Sequence, residues 1–228
     1  MGTRYFTPAL FRFLDDLADN NDRTWFKANQ DRFEEVVRQP ALDFITDFAE
    51  PLATISPHFV ADSRTVGGSL FRIQRDTRFS KDKTPYKLNT GMHFRHEHAA
   101  DAHAPGFYIH LQPRNCFFGA GLWRPPTAAA SAIREHIAEK PDDWTAATRA
   151  AAFTDAFELA GESLKRPPKG FDPEHELLDD LKRKDFIATG SLTHRDVTRG
   201  DFLDLVADRC RRAAPTMAFL CRALDAPF

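Results

Sequence analysis

Cysteine is scarce in this chain, with three in 228 residues, at Cys116, Cys210 and Cys221. An odd number without metal-like spacing gives neither a disulfide framework nor a zinc motif. They read as small buried hydrophobes in a reducing compartment, so the cytoplasm is the expected location. No stretch approaches about eighteen consecutive apolar residues, so no helix is expected to span a membrane. The opening MGTRYFTPALF lacks the basic flank and long apolar run of a signal peptide. Phe6 stands where a myristoylation signal wants Ser or Thr. An excess of one charge is also missing: 31 Lys and Arg face 33 Asp and Glu, a net of -2. No global field draws the chain to nucleic acid or to an anionic membrane. Gly67-Gly68 and Gly119-Ala120-Gly121 lack the Lys-Ser/Thr ending of a phosphate loop, and no cofactor motif is found.

Phenylalanine is abundant instead, with 21 residues against 3 Tyr and 3 Trp. The length and the 42% hydrophobic content suit one substantial aromatic core. Residues 7–55 read as helical. Thr7 and Pro8 start one helix, with Leu10, Phe11, Leu14 and Leu17 on one face, and Asn20-Asn21 ends it. Asp22 caps a second, carrying Phe26, Phe33, Val36 and Val37, and Pro40 opens a third that Pro51 should kink or split. Residues 68–122 read as strands, namely Leu70–Asp76, Tyr86–Arg95, Gly106–Gln112 and Asn115–Leu122, the last two joined by Pro113-Arg114. Short connections favour antiparallel pairing, because parallel strands need long crossovers. Residues 125–225 read as helical again, ending in two helices near 200–212 and 215–225. Helices, then strands, then helices predict one α+β domain over 1–228, a central antiparallel sheet of four or more strands with helices from both chain ends on it.

The most unusual stretch is Ser69–Lys87, SLFRIQRDTRFSKDKTPYK. It holds six Arg or Lys, two Asp and three aromatics in nineteen residues. Strand alternation puts Phe71, Ile73 and Arg75 on one face, and Leu70, Arg72, Gln74, Asp76 and Arg78 on the other. The loop adds Lys81, Asp82 and Lys83, and Tyr86-Lys87 begin the return strand. This segment closely resembles the hallmark of the domain of unknown function 2461 family, found in bacteria and fungi. FLDDLADNNDRTWF, GMHF, HAPGFYIHLQP, GAGLWRP and PKGF fit the same pattern, so the resemblance covers most of the chain. It supports the choice of segment and implies no reaction, because the family has no established activity to carry over.

Two readings of the charges stand side by side. In one they form an anionic ligand site for a phosphate- or carboxylate-bearing molecule. There Arg72, Arg75, Arg78 and Lys83 bind the anion, Asp76 and Asp82 orient the guanidinium groups, and Tyr86 and Lys87 bound the pocket. His93 or His110 is then the proton-transfer candidate. In the other reading the same charges form an internal ion-pair network in a non-catalytic interaction module, with the loop 96–105 or a Phe-rich surface meeting a protein partner. A nucleic-acid groove is disfavoured by the net charge. His93, His96, His98, His103 and His110 cluster within eighteen residues, but their irregular spacing argues against a metal site. Ser80-Lys81-Asp82-Lys83 matches Ser-x-x-Lys in a loop, where the helix that would bring Lys onto Ser is missing.

Overall fold

The Thr7 hydroxyl accepts from the Ala9 amide, and Pro8 sits at the first helical position, so the first helix, α1, runs Pro8–Asp19. Asp22 accepts from the Thr24 and Trp25 amides and starts α2, Arg23–Ala28. The chain continues through α3 (Gln30–Phe33), a π-helical turn at Glu34–Arg38 and α4 (Gln39–Ile55). A computed structural model describes residues 2–98 and 104–228.

Among the described residues one antiparallel sheet has six strands. They are β1 (Phe59–Val60), β2 (Thr90–His96), β3 (Gly106–Leu111), β4 (Cys116–Leu122), β5 (Glu158–Ala160) and β6 (Phe186–Leu192), in the order β1-β2-β3-β4-β6-β5. Around β5 and β6 come α5 (Thr127–Glu139), α6 (Pro141–Arg149), α7 (Ala151–Thr154), α8 (Leu178–Leu181), α9 (His194–Thr198) and α10 (Phe202–Ala223). The fold is α+β, with helices from both ends of the chain.

Alternation sorts the sheet. Met92, Phe94, Phe107, Ile109, Phe118, Ala120, Phe186 and Ala188 join Phe13, Phe44, Phe48, Val206, Cys210 and Phe219 of the helices in one buried core. Their neighbours His93, Tyr108, Phe117, Gly119, Ile187 and Thr189 therefore point to the opposite face.

Four expectations need correction. Leu70–Asp76 is not a sheet strand and makes only isolated pairings, Leu70 with Met92 and Gln74 with Tyr86. The Phe71 amide still donates to Gly91 O, but from Arg72 the chain turns away. Arg75 N–H then donates to Pro85 O and Lys87 N–H to Ile73 O, each at 2.8 Å. Second, the sheet extends beyond 68–122, because β1, β5 and β6 lie outside it. FIATGSL of β6 alternates Phe186, Ala188, Gly190 and Leu192 toward the core, in a region expected to be helical. Third, Pro51 does not split α4, which continues through it. Buried Phe44, Ile45, Phe48 and Leu52 hold it on both sides of the one missing hydrogen bond. Fourth, the last two expected helices are one, α10, with Pro215 inside it, again clamped by buried neighbours on either side (Ala213, Thr216 and Met217).

Candidate functional site on the open face of the sheet

The face of the sheet turned away from the core carries a pocket of about 400 Å³. Phe71, Tyr108, Phe117 and Trp123 supply aromatic walls, His93 and His110 the imidazoles, and Gly119 with Gly121 the floor. Register explains the grouping: His93 lies opposite Tyr108, Gly91 opposite His110 and Tyr108 opposite Gly119. Two glycines make room for the polar atoms. A Cβ on Gly91 would stand 2.5 Å from the Tyr108 hydroxyl, and one on Gly106 would stand 2.3 Å from His93 Nε2. Gly119 differs, because a Cβ there would meet its nearest atoms at 3.8 Å. What its missing side chain leaves is open volume over the floor.

A hydrogen-bonded chain runs along β3. His110 Nε2 lies 3.0 Å from Gln112 Oε1, and His110 Nδ1 lies 3.1 Å from the Tyr108 hydroxyl and 3.5 Å from Asn89 Nδ2. The His110 ring stacks on Phe117 at 4.7 Å. Burial pulls the His110 imidazole below its ordinary range, against a smaller opposite pull from Gln112. Burial pushes the Tyr108 phenol up to about 12. His93 is only 8% exposed, and its Nδ1 has no hydrogen-bond partner among the described residues. Desolvation, with the positive charge of Arg95 second, lowers His93 to about 4. At neutral pH both imidazoles and the phenol are uncharged, so the interior of the pocket holds no formal charge.

The charged segment forms an irregular hairpin beside this pocket. Asn21 anchors it by donating from Nδ2 to Tyr86 O at 3.0 Å and accepting from Tyr86 N–H at 3.1 Å. The Tyr86 ring stacks on Phe26 at 4.1 Å. Phe71 and Ile73, expected on one face, part company because the chain leaves the sheet between them. Ile73 enters the core, while Phe71 lines the open-face pocket. Arg75 pairs with Asp82 and also donates to the Thr84 hydroxyl. Arg78 grips Asp76 through both Nε and an Nη, with the shortest contact at 2.6 Å. Hydrogen bonds from Arg78, side chain first, lower Asp76 to about 2, and those from the Thr84 amide and then Arg75 lower Asp82 to about 2. Lys83 donates to Thr77 O at 2.8 Å. Arg75, Lys83 and Tyr86 share a separate shallow depression with Asn21 and Arg23.

The residues named from sequence thus fall into two groups. His93 and His110 line the open-face pocket, whereas Arg75, Asp76, Arg78, Asp82, Lys83 and Tyr86 belong to the hairpin. Lys87 joins the two: its Nζ stands 5.5 Å from the centre of the Phe71 ring and donates to Arg72 O at 2.7 Å. Burial, then the nearby charge of Arg72, lowers the Lys87 ammonium. Sequence reading missed Phe71, Tyr108, Gln112, Phe117, Gly119, Trp123 and Thr189 as site residues. Alternation in GFYIHLQ already places Tyr108 and His110 on one face, and the signal went unused because nothing marked that face as open.

No group of three or more His, Cys, Asp or Glu suited to a metal ion occurs among the described residues. Residues 99–103 of the loop 96–105, His103 among them, lie outside the described residues. No described helix is long and apolar enough to cross a membrane.

A family model described as a conserved hypothetical protein, DUF2461, matches residues 9–219, and the chain belongs to that family. No curated protein and no solved structure matches it.

Proposed function

We propose that this member of the DUF2461 family binds a small molecule in the open-face pocket, with the flat apolar part of the ligand lying over Gly119. The ligand's anionic group, a carboxylate or phosphate, is met at the Phe71 edge by Lys87 and Arg72. The observation that carries the reading is the pocket itself, aromatic-walled, glycine-floored and without formal charge, on the sheet face that the core leaves uncovered. Ligand pockets are mostly apolar with a few fixed polar groups, and about 300–1,000 Å³ is their usual size. The anion belongs at the edge, because an unpaired charge inside such a pocket would lose its hydration without compensation. Lys87 is the cation that stands at the Phe71 ring, with the charge of Arg72 close enough to lower its ammonium, and no acid of the described residues is ion-paired with either.

The test is a thermal-shift series with benzoate, phenyl phosphate, acetate and inorganic phosphate, run on the wild type and on Gly119→Leu. A ligand at a hundred times its Kd adds about 2.7 kcal/mol, a readily measured rise in Tm. The aryl acids are expected to raise Tm and the two small anions are not. A Cβ at Gly119 meets its nearest atoms at 3.8 Å, so Gly119→Leu is expected to fill the floor and abolish the shift, with an unchanged far-UV spectrum checking the fold. Shifts that survive Gly119→Leu, or that appear with acetate and phosphate alone, contradict the reading.

A second reading rests on the ion pairs of the hairpin. Arg75 with Asp82 and Arg78 with Asp76 are partnered inside the segment. That favours a structural role for these four charges, and the ligand site proposed here does not use them.

A further inference from the structure

Resting on the binding reading above, we infer that the ligand presents a hydrogen-bond donor, a ring hydroxyl or a ring N–H, to the Tyr108 hydroxyl oxygen. The class taken is therefore a hydroxyaryl or azole acid rather than a plain aryl acid.

The direction of the β3 hydrogen bonds fixes this. Gln112 Oε1 can only accept, so the His110 ring proton sits on Nε2, 3.0 Å away. His110 Nδ1 then carries a lone pair. The Tyr108 hydroxyl, 3.1 Å from that nitrogen, donates its single proton to it. A phenol has one proton and two lone pairs, so what Tyr108 offers the pocket is acceptor capacity alone. Asn89 Nδ2, the other donor near this nitrogen, stands farther off at 3.5 Å, so the single lone pair goes to the Tyr108 hydroxyl. Gly91 makes room for the hydroxyl itself, since a Cβ there would stand 2.5 Å from it.

His93 adds an independent mark of an unfilled polar contact. It lines the same pocket, faces Tyr108 across the strand pair and has a buried Nδ1 without a partner among the described residues. A ligand that brings polar edges as well as an apolar ring suits a wall of this kind. One with a bare ring leaves the Tyr108 lone pairs dry and unmatched, and polar sites reject such isosteres strongly.

Calorimetric titration tests the inference with matched probes: 3- and 4-hydroxybenzoate against benzoate and against 3- and 4-methoxybenzoate. The proteins are the wild type, Tyr108→Phe and Gly119→Leu. At least one hydroxybenzoate is expected to bind the wild type about tenfold tighter than benzoate and than its own methoxy counterpart. Tyr108→Phe, which keeps the aromatic wall and loses the hydroxyl, removes that preference. Equal binding of hydroxy and methoxy probes, or a preference that survives Tyr108→Phe, overturns the inference and leaves the binding reading standing. Binding of none of the probes to the wild type, or binding unchanged in Gly119→Leu, overturns the binding reading and this inference with it.

Discussion

His93 is held neutral by its surroundings, between Phe71 and Tyr108 and with a positive Arg95 as its next charged influence. The sign of the pH effect follows. The unfolded chain protonates this imidazole near its ordinary value of 6.5, and the folded protein only near about 4. Between those values the unfolded state binds more protons, so stability falls as pH falls. The loss by the lower limit is on the order of 3 kcal/mol. The lowered His110 acts in the same direction. Urea unfolding across this window is expected to show the decline in the wild type and a shallower one in His93→Gln, which cannot titrate. An unchanged slope in that variant removes His93 as the cause. Arg78 is the opposite kind of residue, since its side chain is 77% exposed and pairs with Asp76, a neighbour two positions away. Arg78→Met should leave the unfolding midpoint essentially unchanged in the same urea assay. The charge density that made this segment conspicuous in sequence is therefore, at Arg78, a surface pair.

The hairpin at Ile73–Lys87 stands or falls as an element. It is secured less by its ions than by Tyr86 against Phe26 and by the two Asn21 bonds to the Tyr86 backbone. Tyr86→Ala should cost about 3 kcal/mol in urea unfolding, in the range for large aromatic truncations. It should also speed hydrogen exchange at the Arg75 and Lys87 amides, which close the hairpin. Exchange at those amides unchanged in Tyr86→Ala contradicts this account of the anchor. Much at this scale was legible in sequence: the caps at Thr7 and Asp22, the strand pair 106–122 and its turn at Arg114, whose φ is 64°. What was not legible depended on distant partners. Nothing local says that Arg72 leaves the sheet, because Gly91 and Pro85, the acceptors on either side of the departure, are far along the chain. Pro51 and Pro215 read as breaks locally, while tertiary burial carries the helices across them. The alternation of β6 was there to read, hidden among helical signals and the charged run KRKD.

For the whole molecule, one sheet face makes the core and the other makes the pocket. The period-2 pattern announces two faces for β2, β3 and β4, but not what covers either. For that reason His93 and His110 could be named from their chemistry and Tyr108 set on the face of His110, while Gly119 and the pocket joining them could not be read. The conspicuous charges of the hallmark drew attention to the hairpin, and the candidate site lies beside it, sharing only Phe71 and the cations at Lys87 and Arg72. The most direct measurement is an amide NMR titration of the isotope-labelled protein with 4-hydroxybenzoate. Shifts centred on Gly106, Tyr108, Gly119 and Gly121, with the hairpin tip Thr77–Thr84 unmoved, are the expected result. Shifts confined to that tip, or none at the four pocket residues, contradict a ligand site on the open face of the sheet.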